Sequence, residues 1–425
     1  MRLELKSSDI TGVRFSHNTA IEQRILLINR DELTHILESD HRLNNIRIEL
    51  ANPGDKCRIV QVVDVIEPRA KIGNDYQNFP GAIGSQSQAG QGATSVLRGA
   101  AVITSEYYDQ DAGVKTDPTG SVIDMSGPGA EIGPYGKTAN IVLMPSPAKG
   151  INLADYRVAL KIAGLKTAVY LAEAASRLEP DETEVFEIPS LTGIPGNLPR
   201  VAYIFQVYTN QFEPLPGEPI LYGANIDKMV PTILHPNEVL DGALTTPYLD
   251  YCQETYVIQN HPIIKELYRH HGKDIFFAGV IITNAPNNAP EYERNANISA
   301  NLAKWVLNAQ GAILTKTGGG APEVVMARTA QRCEQLGIKT AIALMHMGID
   351  ITDISLKPSV IFNMPEVDAM VSMGASVGTL MLPPMEKVIG CYTESKVFGE
   401  LRRGIGSIKG SLSQLGNSRL FAVRY

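Results

Sequence analysis

Four cysteines are scattered along this chain, at positions 57, 252, 333 and 391. No two have the Cys-x-x-Cys spacing of a zinc site, so no metal site is predicted. They are also too widely scattered for a disulfide framework. Cys252 differs from the others because it lies in a turn-rich segment, "DGALTTPYLDYCQET", between two strongly patterned halves of the chain. It is either an incidental linker residue or the point where the chain generates an electrophile of its own.

A glycine-rich turn, "TKTGGGAPE", follows a predicted buried strand and precedes a predicted helix. Open α/β sheets bind ligands at this kind of strand end. Gly318, Gly319 and Gly320 would present backbone N–H groups to a carboxylate or phosphate there. Their spacing matches neither a Walker loop nor Gly-x-Gly-x-x-Gly, so no nucleotide is predicted. A flexible turn with Pro322 at the first helical position explains the same residues equally well.

Three further polar residues are candidates for substrate binding. Asn284, with Thr283 next to it, ends the strand "FFAGVIITN", and His346 ends "TAIALMH", so these residues would share the sheet edge with the glycine turn. A lone histidine at a strand end is nevertheless more often structural. Asp124, in "IDMSGPGAE", either anchors a glycine turn or contacts a substrate amine. The same stretch has no Gly-x-Ser-x-Gly elbow and no adjacent histidine, which argues against a serine hydrolase.

Composition and charge restrict the class of protein. A length of 425 residues predicts roughly two or three domains. The net charge of −7 and the lack of a long basic cluster argue against nucleic acid or an anionic membrane as partner. The N-terminus does not resemble a secretory signal, and no window reaches about 18 uninterrupted apolar residues, so no membrane span is predicted. Scattered cysteines are typical of a cytoplasmic protein.

Hydrophobic patterns divide the chain into three parts. Residues 1–150 alternate like half-buried strands, as in "CRIVQVVDVIEP", with one short helix, "DELTHILESD", whose predicted N-cap is Asp31. Residues 151–251 contain a long helix, "NLADYRVALKIAGLKTAVYLAEAASRL", and a buried strand, "RVAYIFQVYTNQ". In residues 252–425 helices alternate with continuous apolar strands. The predicted fold is α/β, with a β-rich α+β N-terminal region followed by a doubly wound, mostly parallel-sheet C-terminal domain.

Several long motifs resemble one known family. They are "VIDMSGPGAE", "LRGAAVIT", "AGLKTAVYLAEAA", "VPTILHPNEVLDGA", "NHPIIKELYRHHGKDIFFAGVIITN" and "LPPMEKVIG". Their order and spacing resemble the component B alpha/beta proprotein of glycine, sarcosine and betaine reductases. The resemblance runs from the first residues to near the C-terminus.

The resemblance implies that the chain is cut internally at a cysteine and that the new N-terminus becomes a pyruvoyl group. The thiol attacks the preceding carbonyl to give a thioester, and β-elimination releases the upstream chain as a thiocarboxylate and leaves a dehydroalanine. Water then displaces its nitrogen as ammonia, and the resulting carbonyl condenses with a substrate amine. It also implies a thiol- or selenol-bearing gamma subunit that cleaves the C–N bond of a small amino acid or amine. A small carrier selenoprotein or thiol protein would then take the product.

The sequence departs from this family where the cut is expected. The resemblance implies an asparagine-cysteine pair shortly after "DGA", whereas Cys252 follows Tyr251 and the segment is a few residues shorter. Counting from its two ends places Leu249 or Thr246 at the scissile position instead. Two interpretations stay open. Either the chain is cleaved before Cys252 to give a pyruvoyl enzyme, or it is an uncleaved paralog that binds substrate or scaffolds a reductase partner.

Overall fold

The structure, a computed structural model, describes most of the chain. The described residues are 1–107, 119–193, 196–207, 221–222, 226, 229–246, 253–286, 288–318, 321–346, 367–375, 378–392 and 394–416. Within them the protein is mixed α/β with several mixed sheets, which confirms the predicted mixed class. None of the helices in these ranges combines the length and the apolar character that crossing a membrane requires.

Strands dominate the first part of the chain, as the alternating pattern predicts. Its elements are β1 (Arg2–Asp9), β2 (Gly12–Ser16), β3 (Ala20–Glu22), β4 (Ile25–Asn29), α1 (Arg30–Glu38), β5 (Leu43–Ala51), β6 (Cys57–Ile59), β7 (Val62–Ile66), β8 (Arg69–Lys71), β9 (Gly92–Arg98), β10 (Ala100–Ser105), β11 (Ile123–Asp124), α2 (Pro128–Ile132), β12 (Ala139–Pro147) and α3 (Leu153–Glu173).

The N-cap of helix α1 differs from the predicted one. It is Asn29, whose side-chain oxygen accepts a hydrogen bond from the Glu32 N–H at 3.1 Å. Asp31, the predicted cap, lies inside the first turn, where its charge complements the helix dipole. Asparagine and aspartate cap helices about equally well, so residue type alone does not separate the two positions.

Helices and strands alternate in the second part of the chain, as predicted. Its elements are β13 (Glu182–Glu187), β14 (Arg200–Val207), β15 (Thr232–Leu234), α4 (Pro236–Leu240), α5 (Thr255–Gln259), α6 (Pro262–His270), β16 (Phe276–Asn284), α7 (Ala289–Asn301), β17 (Gly311–Lys316), α8 (Ala321–Gln335), β18 (Lys339–His346), β19 (Ala369–Ala375), β20 (Thr379–Leu382), β21 (Lys387–Ile389), α9 (Ser395–Phe398) and β22 (Leu401–Gly404).

Two four-stranded sheets form the N-terminal framework, in the orders β13-β1-β9-β8 and β5-β12-β10-β7. Helix α3 packs closely against the second sheet, because a Cβ added at Gly164 would lie 2.8 Å from both Ile66 Cδ1 and Thr104 Cγ2. A three-stranded sheet, β11-β6-β21, pairs β21 from near the C-terminus with β6. The chain therefore returns to the N-terminal framework after forming its largest sheet.

The largest sheet has six strands in the order β15-β16-β14-β17-β18-β19. β15 runs antiparallel to β16, and the other five strands are parallel. Counted along the chain, the parallel strands have the order 2-1-3-4-5, an order found in doubly wound sheets, whose switch point here lies between β14 and β17. The first parallel strand, residues 200–207, precedes Cys252, so the sheet takes strands from both sides of that residue.

Both faces of the six-stranded sheet are covered. On β14, Tyr203 and Phe205 pack in one apolar cluster with residues of α4, α5 and α6. The alternate residues, Ala202 and Ile204, pack in another cluster with residues of α7 and α8. Burial on both faces explains why these strands read as continuous apolar runs.

Candidate active site

Three polar side chains form one row across the carboxyl ends of neighbouring parallel strands. Gln206 on β14 is in register with Thr283 on β16 and with Lys316 on β17. Side chains in one register row point to the same face of a sheet. Since Gln206 alternates in step with Ala202 and Ile204, the row faces the side covered by α7 and α8. It stands at the switch point, where doubly wound sheets bind ligands.

The row is buried and only partly satisfied. Gln206, Thr283 and Lys316 are each 1% exposed. The Gln206 side-chain amide donates to the Pro322 carbonyl at 2.8 Å, in the first turn of α8. Among the described residues, neither Gln206 Oε1 nor Thr283 Oγ1 has a hydrogen-bond partner. Buried polar atoms in native proteins are nearly always paired, so two unpaired acceptors in one row make this a candidate position for a polar ligand.

Lys316 brings a positive charge into this row. Its ammonium donates to the Gly318 carbonyl at 2.5 Å and lies 3.4 Å from Glu323 Oε1, on the first turn of α8. Burial lowers the pKa of Lys316, and the Glu323 carboxylate offsets part of that effect. Gly318 has a φ of +88°, a conformation that favours glycine and turns the chain towards α8. The charge therefore lies at the strand end with one carboxylate beside it.

The structure describes only some of the residues that the sequence predicts at this edge. Asn284 is at the predicted edge, one residue beyond Thr283. Its amide donates to the Ile226 carbonyl at 2.5 Å and its oxygen accepts from Asn295 at 2.6 Å. His346 ends β18 at the same edge, but its side chain is outside the described part of the structure. Two of the three predicted glycines, 319 and 320, also lie outside the described residues.

Asp124 lies elsewhere, on β11 of the three-stranded sheet. Both of its carboxylate oxygens accept from the Arg58 guanidinium, at 2.7 and 2.9 Å, and both side chains are fully buried. Arg58 also donates to the Pro383, Val397 and Gly399 carbonyls. The Arg58–Asp124 pair thus ties β6 and β11 to the returning C-terminal segment, and both carboxylate oxygens of Asp124 already have Arg58 as partner.

The segment that carries Cys252 is closed at its base. Cys252 itself, with residues 247–251, lies outside the described residues. On either side of the gap, the Thr246 hydroxyl donates to the Gln253 carbonyl at 2.7 Å. The Thr246 N–H donates to the Thr255 hydroxyl at 2.9 Å. These two bonds hold Thr246 against Gln253 and Thr255, on the two sides of the residues that are not described.

A buried carboxylate supports this base. Asp64, on β7, accepts from the Thr255 N–H at 2.9 Å and from its hydroxyl at 2.7 Å. Burial raises the pKa of Asp64 to about 6, although both hydrogen bonds from Thr255 and the charges of the buried Lys161 and Lys409 lower it. The group therefore titrates close to neutral pH, within one hydrogen-bonded residue of the segment that carries Cys252.

Sequence reasoning missed the central residues of both places. Asp64 lies in "VVDVI" and Lys316 ends "AILTK", each a charged residue of a mostly apolar strand. Buried charges are rare and are paired when they occur, so a charge inside an apolar strand is the signal that would have selected them. Gln206 carries a weaker signal, because its place beside Thr283 and Lys316 depends on strand register.

The fold defines the class of protein: a mixed α/β protein with several mixed sheets and a row of buried polar and charged side chains at the carboxyl edge of parallel strands. More narrowly, the chain belongs to the family of glycine/sarcosine/betaine reductase component B subunits, whose family model matches residues 1–417. The reductase resemblance seen in the sequence is thereby confirmed.

Individual relatives align over nearly the whole chain. The chain is 34% identical to glycine reductase complex component B subunits alpha and beta of Acetoanaerobium sticklandii, with 100% of each chain covered. It is 33% identical to sarcosine reductase complex component B subunit alpha of Peptoclostridium acidaminophilum, over 98% of this chain and 94% of that one. The betaine reductase complex component B subunit alpha of the same organism is 32% identical, over 92% and 88%. No solved structure matches the chain.

Proposed function

We propose that this chain is the substrate-specific component B part of a multi-subunit reductase that cleaves the C–N bond of a small amino acid or amine. Membership of the component B family over residues 1–417 carries this proposal. The electrons would come from a thiol or selenol on a separate gamma subunit, and a small carrier selenoprotein or thiol protein would receive the product. A reducing cytoplasm suits such thiol chemistry.

Cys252 is the proposed precursor of a covalent pyruvoyl group, which would supply an electrophilic carbonyl for a substrate amine. The closed base of its segment supports this role, because self-cleavage needs a backbone held in one strained or defined arrangement. Asp64 would act as a positioning residue: it fixes Thr255, and Thr255 fixes Thr246. The replacement of the expected asparagine by Tyr251 favours the alternative, an uncleaved paralog that binds substrate or scaffolds a reductase partner.

The substrate would bind at the carboxyl edge of the six-stranded sheet. The residues proposed from the sequence for this edge are Asn284, His346 and the glycines 318, 319 and 320. Asp124 is left out of the proposed site because both of its carboxylate oxygens accept hydrogen bonds from Arg58.

Reconstitution tests the proposal. The purified chain is combined with a thiol- or selenol-bearing gamma subunit and a carrier protein from a characterised reductase of this type, with a dithiol as reductant. Release of ammonia from glycine, or of methylamine from sarcosine, that requires this chain is the expected result. Binding of the gamma subunit without any turnover, together with a single uncut chain on a denaturing gel, would instead establish the scaffold.

A further inference from the structure

The row of Thr283, Gln206 and Lys316 has opposite chemical character at its two ends. Lys316, on β17, carries an ammonium with three N–H donors, and its described partners are the Gly318 carbonyl and Glu323. At the other end, Gln206 Oε1 and Thr283 Oγ1 are buried acceptors without partners among the described residues. One end can therefore donate to an anion and the other can accept from N–H groups.

The spacing of the row suits a small molecule. Neighbouring strands lie about 4.8 Å apart, so the three side chains span about two strand spacings. An amino acid with little or no side chain is about 4 Å long from its nitrogen to a carboxylate oxygen. With a hydrogen bond of about 2.8 Å at each end, it would bridge that distance. The N-terminus of α8, a helix of 15 residues, adjoins the row through the bond from Gln206 to Pro322 and adds a positive dipole end near Lys316.

We propose that Lys316, Gln206 and Thr283 form the binding site of a small zwitterionic amino acid, whose carboxylate pairs with Lys316 and whose ammonium N–H groups donate to Gln206 Oε1 and Thr283 Oγ1. This inference rests on the proposed function, since it assigns the substrate class of the same sheet edge. It also goes further, because it requires a carboxylate and at least one N–H on the same ligand. Glycine and sarcosine meet both conditions, and betaine, a quaternary ammonium, lacks the N–H.

Burial makes this discrimination strong. A site built to accept hydrogen bonds is left with unpaired buried atoms when a ligand offers no donors, which penalises that ligand heavily. A ligand without a carboxylate likewise leaves the Lys316 ammonium in its buried place without a new partner. The lowered pKa of Lys316 agrees with a charge that gains from an incoming carboxylate.

Calorimetric titration of the full chain tests the inference. The Cys252→Ala chain is used, so that no carbonyl derived from Cys252 captures an amine, and the probes are glycine, betaine and methylammonium. Glycine is expected to bind at least tenfold more tightly than either other probe. Equal binding of betaine and glycine, or no glycine binding at millimolar concentration, would overturn the inference.

Two variants and a control locate the site. Lys316→Met should weaken glycine binding at least tenfold, whereas Lys339→Met, at an exposed lysine of the same sheet, should leave it unchanged. Thr283→Val replaces an unpartnered hydroxyl by a methyl group of similar size, so it should keep the fold intact and still weaken glycine binding several-fold. Wild-type affinity in Thr283→Val and Lys316→Met would refute the assignment.

The outcome is separable from that of the proposed function. Suppose that the wild-type chain stays uncut and that the Cys252→Ala chain binds glycine through Lys316. This result would refute the pyruvoyl group and support the amino-acid site. Suppose instead that the chain is cut and supports turnover, but that substitution of Lys316 or Thr283 does not change its glycine affinity. This result would support the reductase function and refute the amino-acid site.

Discussion

Thr255 donates both its backbone N–H and its hydroxyl to the two carboxylate oxygens of Asp64, at 2.9 and 2.7 Å. The same hydroxyl accepts the Thr246 N–H, so a buried carboxylate on β7 is connected by hydrogen bonds to the residue that precedes the segment carrying Cys252. A group of the N-terminal framework thus positions a segment that lies about midway along the chain. The first two predictions concern this connection.

Replacing Asp64 with asparagine should slow or abolish internal cleavage. The amide keeps the size of the carboxylate but loses its charge and one of its acceptor atoms, so Thr255 and Thr246 are held less firmly. Chain synthesised in a cell-free system and followed on denaturing gels should accumulate as the uncut form. Glu386→Gln, at a carboxylate exposed on the surface, is the control and should be cut at the wild-type rate. Equal rates for the two variants would remove Asp64 from the positioning role.

The stability of the protein should depend on pH through Asp64. Its pKa is raised from 3.8 to about 6, so the folded chain keeps a proton that the unfolded chain loses near pH 4. The bound proton stabilises the folded chain fully below about pH 4, and this stabilisation is lost as the pH rises through about 6. The total loss in the free energy of unfolding is about 3 kcal/mol. Thermal midpoints of Asp64→Asn relative to wild type should therefore rise between pH 4.5 and 7. Parallel curves for the two proteins would show that Asp64 titrates normally.

Removal of the Thr246 hydroxyl should loosen the segment that it closes. Thr246→Val loses the bond to the Gln253 carbonyl, worth about 1 kcal/mol, or roughly a fivefold change in local opening. In a Cys252→Ala background, limited chymotrypsin digestion should cut between residues 246 and 253 several-fold faster. Thr34→Val, which loses a similar hydroxyl-to-carbonyl bond in helix α1, should leave this cleavage unchanged.

Breaking the Arg58–Asp124 pair should destabilise the protein strongly and leave its affinity for glycine unchanged. Asp124→Ala leaves a fully buried guanidinium without its carboxylate, which costs about 3–5 kcal/mol. The denaturation midpoint of Asp124→Ala should fall well below that of wild type, while the glycine affinity of the protein that remains folded should be unchanged. A large loss of glycine affinity with an unchanged denaturation midpoint would show that Asp124 belongs to the substrate site.

Local patterns predicted the secondary elements well, because period and residue type are local properties. The apolar face of "NLADYRVALKIAGLKTAVYLAEAASRL" predicted α3, and the continuous apolar runs after residue 252 predicted β16, β17 and β18. Long-range pairing was not predictable in this way. Residues 200–207 lie next to the switch point of the large sheet, and residues 387–389 pair with 57–59, because hydrogen bonding between distant strands leaves no periodic trace in the sequence.

The sequence predicted where a candidate site lies in the fold, but it predicted only some of the residues of that site. The sheet edge was predicted from strand ends, and Asn284 and Gly318 lie there. Thr283, which the sequence places beside Asn284, lies there as well. Gln206 and Lys316 escaped because their proximity to Thr283 depends on the register of three strands. Asp64 escaped because its partner, Thr255, is far away in the sequence and close only in the fold. Cys252 stays a prediction from the sequence and the family.

The intact mass of the purified wild-type chain, measured together with a denaturing gel, tests the central claim most directly. The account predicts two fragments, of which the smaller begins at residue 252 with a pyruvoyl group that reacts with phenylhydrazine. The Cys252→Ala chain should stay whole, whereas Cys391→Ala, at a half-buried cysteine, should be cut normally. A single full-length wild-type chain that reacts with neither phenylhydrazine nor borohydride would contradict the claim and establish the uncleaved alternative.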